Sequence, residues 1–132
     1  MSRSFKTRTF QRWLRKSGLT DDALVDAVIE MERGLVDADL GGHLVKKRVA
    51  LPQRGKRGST RTIVGTNFQG RWFFLYGFEK SERSNIDQRE LGALQGVARD
   101  LLALGDEQIE AAIRDGTLLE IIHGNQAQKP HS

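Results

Sequence analysis

The chain has 132 residues, with 21 Lys and Arg against 17 Asp and Glu for a formal net charge of +4, and it contains no cysteine. That length suits one compact domain with a real core, and the absence of cysteine excludes a disulfide framework, a thiolate nucleophile and a Cys-based zinc site. The basic N-terminus lacks the apolar stretch of a signal peptide and no run approaches the roughly 18 to 20 apolar residues of a membrane span, so a cytoplasmic protein without a membrane partner is expected.

In chain order, alternation over residues 4–9 predicts a short strand, and Phe10, Trp13 and Leu14 at i, i+3, i+4 predict a short helix that Ser17-Gly18 breaks. Thr20 is placed to cap a second helix from about residue 21 to 33, with Asp21 and Asp22 where the helix dipole favours negative charge. Leu24, Val28, Met31 and Leu35 form its apolar stripe, and Gly34 stops it. Residues 35–42 read as a connection ending in a Gly41-Gly42 turn, and residues 44–50 as a strand. After Pro52, a Gly/Arg/Lys-rich loop over 53–59, expected to be mobile, leads into apolar runs at 60–64 and 72–76. Together these runs have the composition of a β-hairpin with its turn near Gln69-Gly70. Asp87 and Glu90 have capping-box spacing, and Leu91, Leu94, Ala98, Leu101 and Leu102 describe an amphipathic helix to about residue 104. Gly105 stops that helix, Asp106 is placed to cap another over Ile109 and Ile113, and residues 118–122 form a final strand or a packed tail. The expectation is one α+β domain over residues 1–123, a small antiparallel sheet with helices packed on it, and a disordered tail over 124–132.

Charge is segregated along this plan. Residues 46–78 carry eight basic groups (Lys46, Lys47, Arg48, Arg54, Lys56, Arg57, Arg61 and Arg71) and no acid, and residues 3–16 carry six basic groups and no acid. By contrast, residues 21–39 hold seven acidic groups against one basic, and residues 84–122 hold eight against three. A stiff hairpin bearing cations apart from acids fits backbone phosphates, whose neutralisation releases condensed counterions. The same pattern also describes a plain solvated face. Trp72, Phe73 and Phe74 alternate, so Phe73 or the Trp72/Phe74 pair belongs to the core while another ring is free to face bases. His43 beside Gly42 reads as a turn residue, His123 and His131 have no metal-ligand spacing, and Asp37 and Asp39 lack companions for a cation cage. No metal or cofactor is expected.

The ordered segments Phe5-Lys6-Thr7-Arg8-Thr9-Phe10, Leu35-Val36-Asp37-Ala38-Asp39-Leu40-Gly41-Gly42 and Tyr76-Gly77-Phe78-Glu79-Lys80, with the basic hairpin between them and Ser81-Glu82-Arg83-Ser84 after it, resemble the RelE/HigB superfamily of bacterial toxin-antitoxin toxins over about residues 5–122. The resemblance implies a RelE/ParE-like fold and a toxin silenced by a cognate antitoxin protein. It further implies an endoribonuclease that cuts mRNA, usually on the ribosome. RNA cleavage by a 2′-hydroxyl requires a base, an acid and cations for the developing phosphorane, which Arg and Lys can supply without metal. In the family an arginine after a glycine on the first hairpin strand stabilises phosphate, and Gly58-Ser59-Thr60-Arg61-Thr62 places Arg61 there. Lys46 and Arg48 match the basic residues of the preceding strand, with Lys47 as the alternative between them.

The family's later arginine and catalytic tyrosine fall instead on Ser81 and Asp87 when Glu82-Arg83-Ser84 is aligned. Lys80 and Arg83 are then the substitute cations, with Tyr76, His43 or Glu79 for proton transfer. The candidate catalytic set is Arg61, Lys46, Arg48, Lys80, Arg83 and Tyr76, and the RNA-binding set is Lys47, Arg54, Lys56, Arg57 and Arg71. Two other readings use the same fold: a non-catalytic nucleic-acid-binding or regulatory module, and a ParE-type gyrase inhibitor. The assembly state is not legible in the sequence.

Overall fold

The structure is a computed structural model that describes residues 2–51 and 59–122. Among them six strands and four helices follow one another as β1 (Arg3–Thr7), α1 (Arg8–Ser17), α2 (Asp21–Glu32), β2 (Ala38–Gly41), β3 (Leu44–Ala50), β4 (Ser59–Thr66), β5 (Arg71–Glu79), α3 (Gln88–Leu102), α4 (Asp106–Arg114) and β6 (Leu118–Glu120). The strands form a single sheet in the order β2-β3-β4-β5-β1-β6. All neighbours are antiparallel except β1 and β5, which run parallel. The fold is α+β with a mostly antiparallel sheet.

Local chemistry sets the boundaries. The Thr7 hydroxyl accepts from Phe10 N at the start of α1, and the Thr20 hydroxyl accepts from Ala23 N at the start of α2. Asp87 and Glu90 form a reciprocal capping box that opens α3. Three expectations change. Residues 35–42 contain a strand, β2, because Asp37 N–H donates to Lys46 O and draws that segment onto the edge of β3. The cap of α4 is Gly105 rather than Asp106: Gly105 N–H donates to Gln108 Oε1 and Asp106 is the first helical residue. Trp72, Phe73 and Phe74 are all buried, so none of the three rings faces solvent, because helices cover both sides of the sheet.

Two apolar layers result. Phe10, Leu14, Leu24, Met31, Val45, Val64, Trp72 and Phe74 make the layer beneath α1 and α2. Phe5, Leu44, Ile63, Phe73, Leu75, Phe78, Ala98 and Ile109 make the layer beneath α3 and α4. Along β5 the alternation is interrupted: Val64 pairs with Phe74 but Ile63 pairs with Tyr76, so Leu75 is an extra residue in that strand. Such a bulge re-aims the side chains that follow it. Phe74 faces α1, whereas Tyr76 and Phe78 face the α3 side together with Leu75. Gly77, pointing back, lies under the Trp13 ring.

Candidate nucleic-acid interface and active site

Residues opposite one another on neighbouring strands share a face of the sheet. The pairing register sets Lys46 across from Ile63, and Ile63 across from Tyr76. The next row is Arg48, Arg61 and Phe78. Lys46, Arg48, Arg61 and Tyr76 therefore occupy two adjacent rows on the α3 side, within about 10 Å across three strands at the usual strand spacing. Lys46 and Arg61 are half-buried and Arg48 is exposed. The Arg61 guanidinium bonds only to Ser59 Oγ (3.2 Å) and Thr60 O (3.5 Å) among the described residues. No carboxylate among the described residues pairs with the side chain of Lys46, Arg48 or Arg61.

Arg83 joins this face by a different route. A turn after β5, closed by Arg83 N–H donating to Glu79 O, folds the chain back over the sheet. Arg83 then lies over the rings of Tyr76 and Phe78, at 6.0 and 5.8 Å from their centroids. Its Nη1 donates to Tyr76 Oη at 3.0 Å and to Glu90 Oε2 at 2.9 Å, and its Nη2 donates to Glu90 Oε1 at 2.6 Å. Glu90 Oε1 also accepts from Asp87 N–H at 2.9 Å. One carboxylate thus completes the α3 cap and fixes the arginine that holds the phenol. Sequence spacing identifies Glu90 as a capping residue, but its hold on Arg83 depends on the turn between them.

The remaining candidates lie elsewhere. Lys47 points to the α2 side, buried, with its ammonium 2.7 Å from Glu30 Oε1. Arg71, at the far end of β5, donates to Leu104 O and to Asp106 Oδ1 (2.6 Å) and so fastens the α3–α4 corner. Lys80 is exposed in the turn after β5. His43 takes a left-handed φ of 67° in the β2–β3 turn, five residues from Arg48 and so roughly 17 Å along the strand. Glu79 pairs across from Thr60 at the end of β5, and Ser81 is exposed in the turn. Asp87 is the α3 cap. Arg54, Lys56, Arg57 and the rest of residues 52–58 lie outside the described residues, as do His123, His131 and the tail over 124–132. Among the described residues no cluster of three or more His, Asp or Glu side chains suited to a metal ion is present.

The α+β fold with its mostly antiparallel sheet agrees with a family comparison in which residues 2–121 match the model described as RelE toxin of the RelE / RelB toxin-antitoxin system. The chain belongs to the RelE toxin family. A comparison with curated proteins finds no match. Membership makes the chain a toxin component of a toxin-antitoxin module, with an antitoxin as partner. No helix among the described residues is long and apolar enough to cross a membrane.

In this RelE family member, Arg83 holds the Glu90 carboxyl below the usual carboxylate range, helped by the Asp87 N–H, while Glu90 and then Tyr76 hold the Arg83 guanidinium above its ordinary value. A carboxyl depressed by folding stabilises the fold fully above its unfolded pKa, and that contribution is lost as pH falls through the lower, folded value. Thermal unfolding of the parent and of Glu90→Gln, followed from neutral pH into acid, is therefore expected to differ most at neutral pH and to converge below the folded-state pKa of Glu90. A difference that does not change with pH rules out the ion pair as its source.

Proposed function

We propose that this toxin is an mRNA endoribonuclease acting on translated message, in which the α3 side of the β3–β4–β5 sheet holds the scissile phosphate. The supporting observation is the pair of cross-strand rows that sets Lys46, Arg48 and Arg61, whose side chains have no carboxylate partner among the described residues, beside a phenol that accepts an arginine N–H. On this reading the 2′-oxygen attacks the adjacent phosphorus and the bond to the 5′-oxygen breaks, leaving a 2′,3′-cyclic phosphate and a free 5′-hydroxyl. Lys46, Arg48 and Arg61 counter the charge that grows on the phosphoryl oxygens, supplying electrostatically what a metal ion would otherwise supply. The proton leaving the 2′-hydroxyl passes to solvent. Tyr76 donates its proton to the departing oxygen, and the Arg83 hydrogen bond holds the phenol in position for that transfer.

Cytoplasmic location and action at the ribosome belong to the same proposal. The antitoxin silences the toxin by placing acidic groups against Lys46, Arg48 and Arg61, competing with phosphate for the same cations. Inducible expression with primer-extension mapping of transcripts provides the test, and new 5′ ends within coding regions are the expected result. Growth arrest with intact mRNA and a DNA-damage response overturns it in favour of gyrase inhibition. Arrest with intact mRNA and no damage response points to the non-catalytic reading.

A further inference from the structure

Residues 3–16 hold six cations and no acid, and the fold divides them into two groups. Arg3 is bonded to Glu120 (2.9 Å) and Glu110 (2.9 Å), and Lys6, buried, to Asp21 (2.7 Å). Arg8, Arg12, Arg15 and Lys16 are all exposed on α1, and none has a carboxylate partner among the described residues. At 3.6 residues per turn the three arginines fall within an arc of about 60° and a rise of about 10 Å. That arc lies opposite the buried Phe10, Leu14 and Ser17. The arginines line an open groove with Gln11, Gly116 and Leu119. Arg8 occupies the first turn, where the helix dipole opposes a cation and no acid is present to offset it. The last-turn Arg15 and Lys16 suit the helix dipole, but neither helix stability nor any ion pair among the described residues explains Arg8 and Arg12.

We propose that the outer face of α1 is a second RNA surface, one that grips the phosphate backbone of duplex RNA. It lies on the opposite side of the sheet from Lys46, Arg48 and Arg61, since α1 packs on the Trp72/Phe74 layer. Its composition selects the partner. The exposed large apolar residues of the described chain are Ile29, Leu35, Phe68, Val97 and Ile122, none of them on α1. Protein hot spots seat Trp, Tyr or Arg side chains in desolvated pockets, and single strands need rings on which bases stack. This face offers neither. Duplex RNA is recognised by shape and phosphate contact with little base reading, and the arginine fork matches phosphate oxygens in pairs. Two RNA-binding faces on one rigid sheet make the second contact intramolecular, so a duplex held by α1 raises the local concentration of an adjoining single strand at the hairpin. The proposal uses no catalytic group and stands whether or not the hairpin face cleaves RNA.

The test is fluorescence anisotropy of a blunt RNA duplex of about 16 base pairs, the span that one double-stranded RNA-binding domain covers, titrated with the full chain over a range of salt. Arg12→Ala/Arg15→Ala is expected to weaken duplex binding and to lower the salt slope by about 2, one unit for each phosphate contact removed. The same variant is expected to leave the circular dichroism spectrum unchanged. Arg61→Ala is expected to leave duplex binding at the parental level. Unchanged duplex affinity and slope in the double variant overturn the proposal. Loss of affinity for the purified antitoxin with duplex binding intact also overturns it, and assigns the face to a protein.

Discussion

Arg61→Ala is expected to lower single-turnover cleavage of ribosome-bound mRNA by roughly 10²-fold or more, the usual cost of removing one preorganised charge from a site where transition-state charge develops. The fold is expected to survive. Arg61 is half-buried and bonds only to Ser59 Oγ and Thr60 O among the described residues, so truncation strands no buried partner. Lys47→Ala is the matched control. It lies next to the same rows but on the other face, bonded to Glu30, and its buried stem packs within the α2 side. That variant is expected to lose stability while keeping the cleavage step. Purified proteins, a chase of pre-bound message and circular dichroism separate the two outcomes. A folded Arg61→Ala protein that cleaves at the parental rate removes Arg61 from the site and moves the chemistry toward Lys80, Arg83 and Tyr76.

Gly77→Ala is expected to destabilise the fold by about 1–3 kcal/mol, the range for forcing extra volume into a packed interior. Propensity alone argues the other way, since glycine in a strand is disfavoured relative to alanine by roughly 0.5–1 kcal/mol. Sterics decide the sign. A Cβ at position 77 meets the Trp13 ring well inside contact distance, 2.7 Å from Cδ2 and closer still to Cε3 and Cζ3. The ring is held by Phe10 at a centroid distance of 5.3 Å and cannot move freely. Thermal unfolding should show a midpoint several degrees lower, and Trp13→Leu in the same chain should recover part of the loss, as expected for residues in direct contact. A midpoint at or above the parental value shows that α1 can shift to accept the methyl.

The sequence made the helices and most strand positions legible because their signals are local. Thr20, Asp87 and Glu90 cap where their spacing implies, and period-two alternation puts Lys46 and Arg48 on one side of β3. What stayed hidden depends on partners distant in the chain. Glu30, Leu104 and Asp106 engage Lys47 and Arg71 only after helices pack on the sheet, so composition alone counts both cations with the basic hairpin. β2 is short, contains Gly41, and is defined by its hydrogen bonds to β3 rather than by apolar residues. Tyr76 is the clearest case. Counting by twos from Trp72 and Phe74 sends its ring beneath α1, and only the extra residue Leu75 turns it toward Arg83.

That extra residue has a consequence for how the chain can change length. The connection over residues 67–70 joins β4 to β5 at the surface, with Phe68 and Gln69 exposed, so one residue gained or lost there alters a loop. One residue lost between Phe74 and Tyr76 removes the bulge and restores strict alternation without changing the side that any later residue faces, since Tyr76 then follows Phe74 directly. The phenol stays on the α3 side, Gly77 stays toward Trp13, and Phe78 keeps the row it shares with Arg48 and Arg61. Loss of Leu75 is therefore expected to leave the pairing of Tyr76 with Arg83 in place, whereas loss of one residue between Tyr76 and Phe78 turns Phe78 to the α1 side.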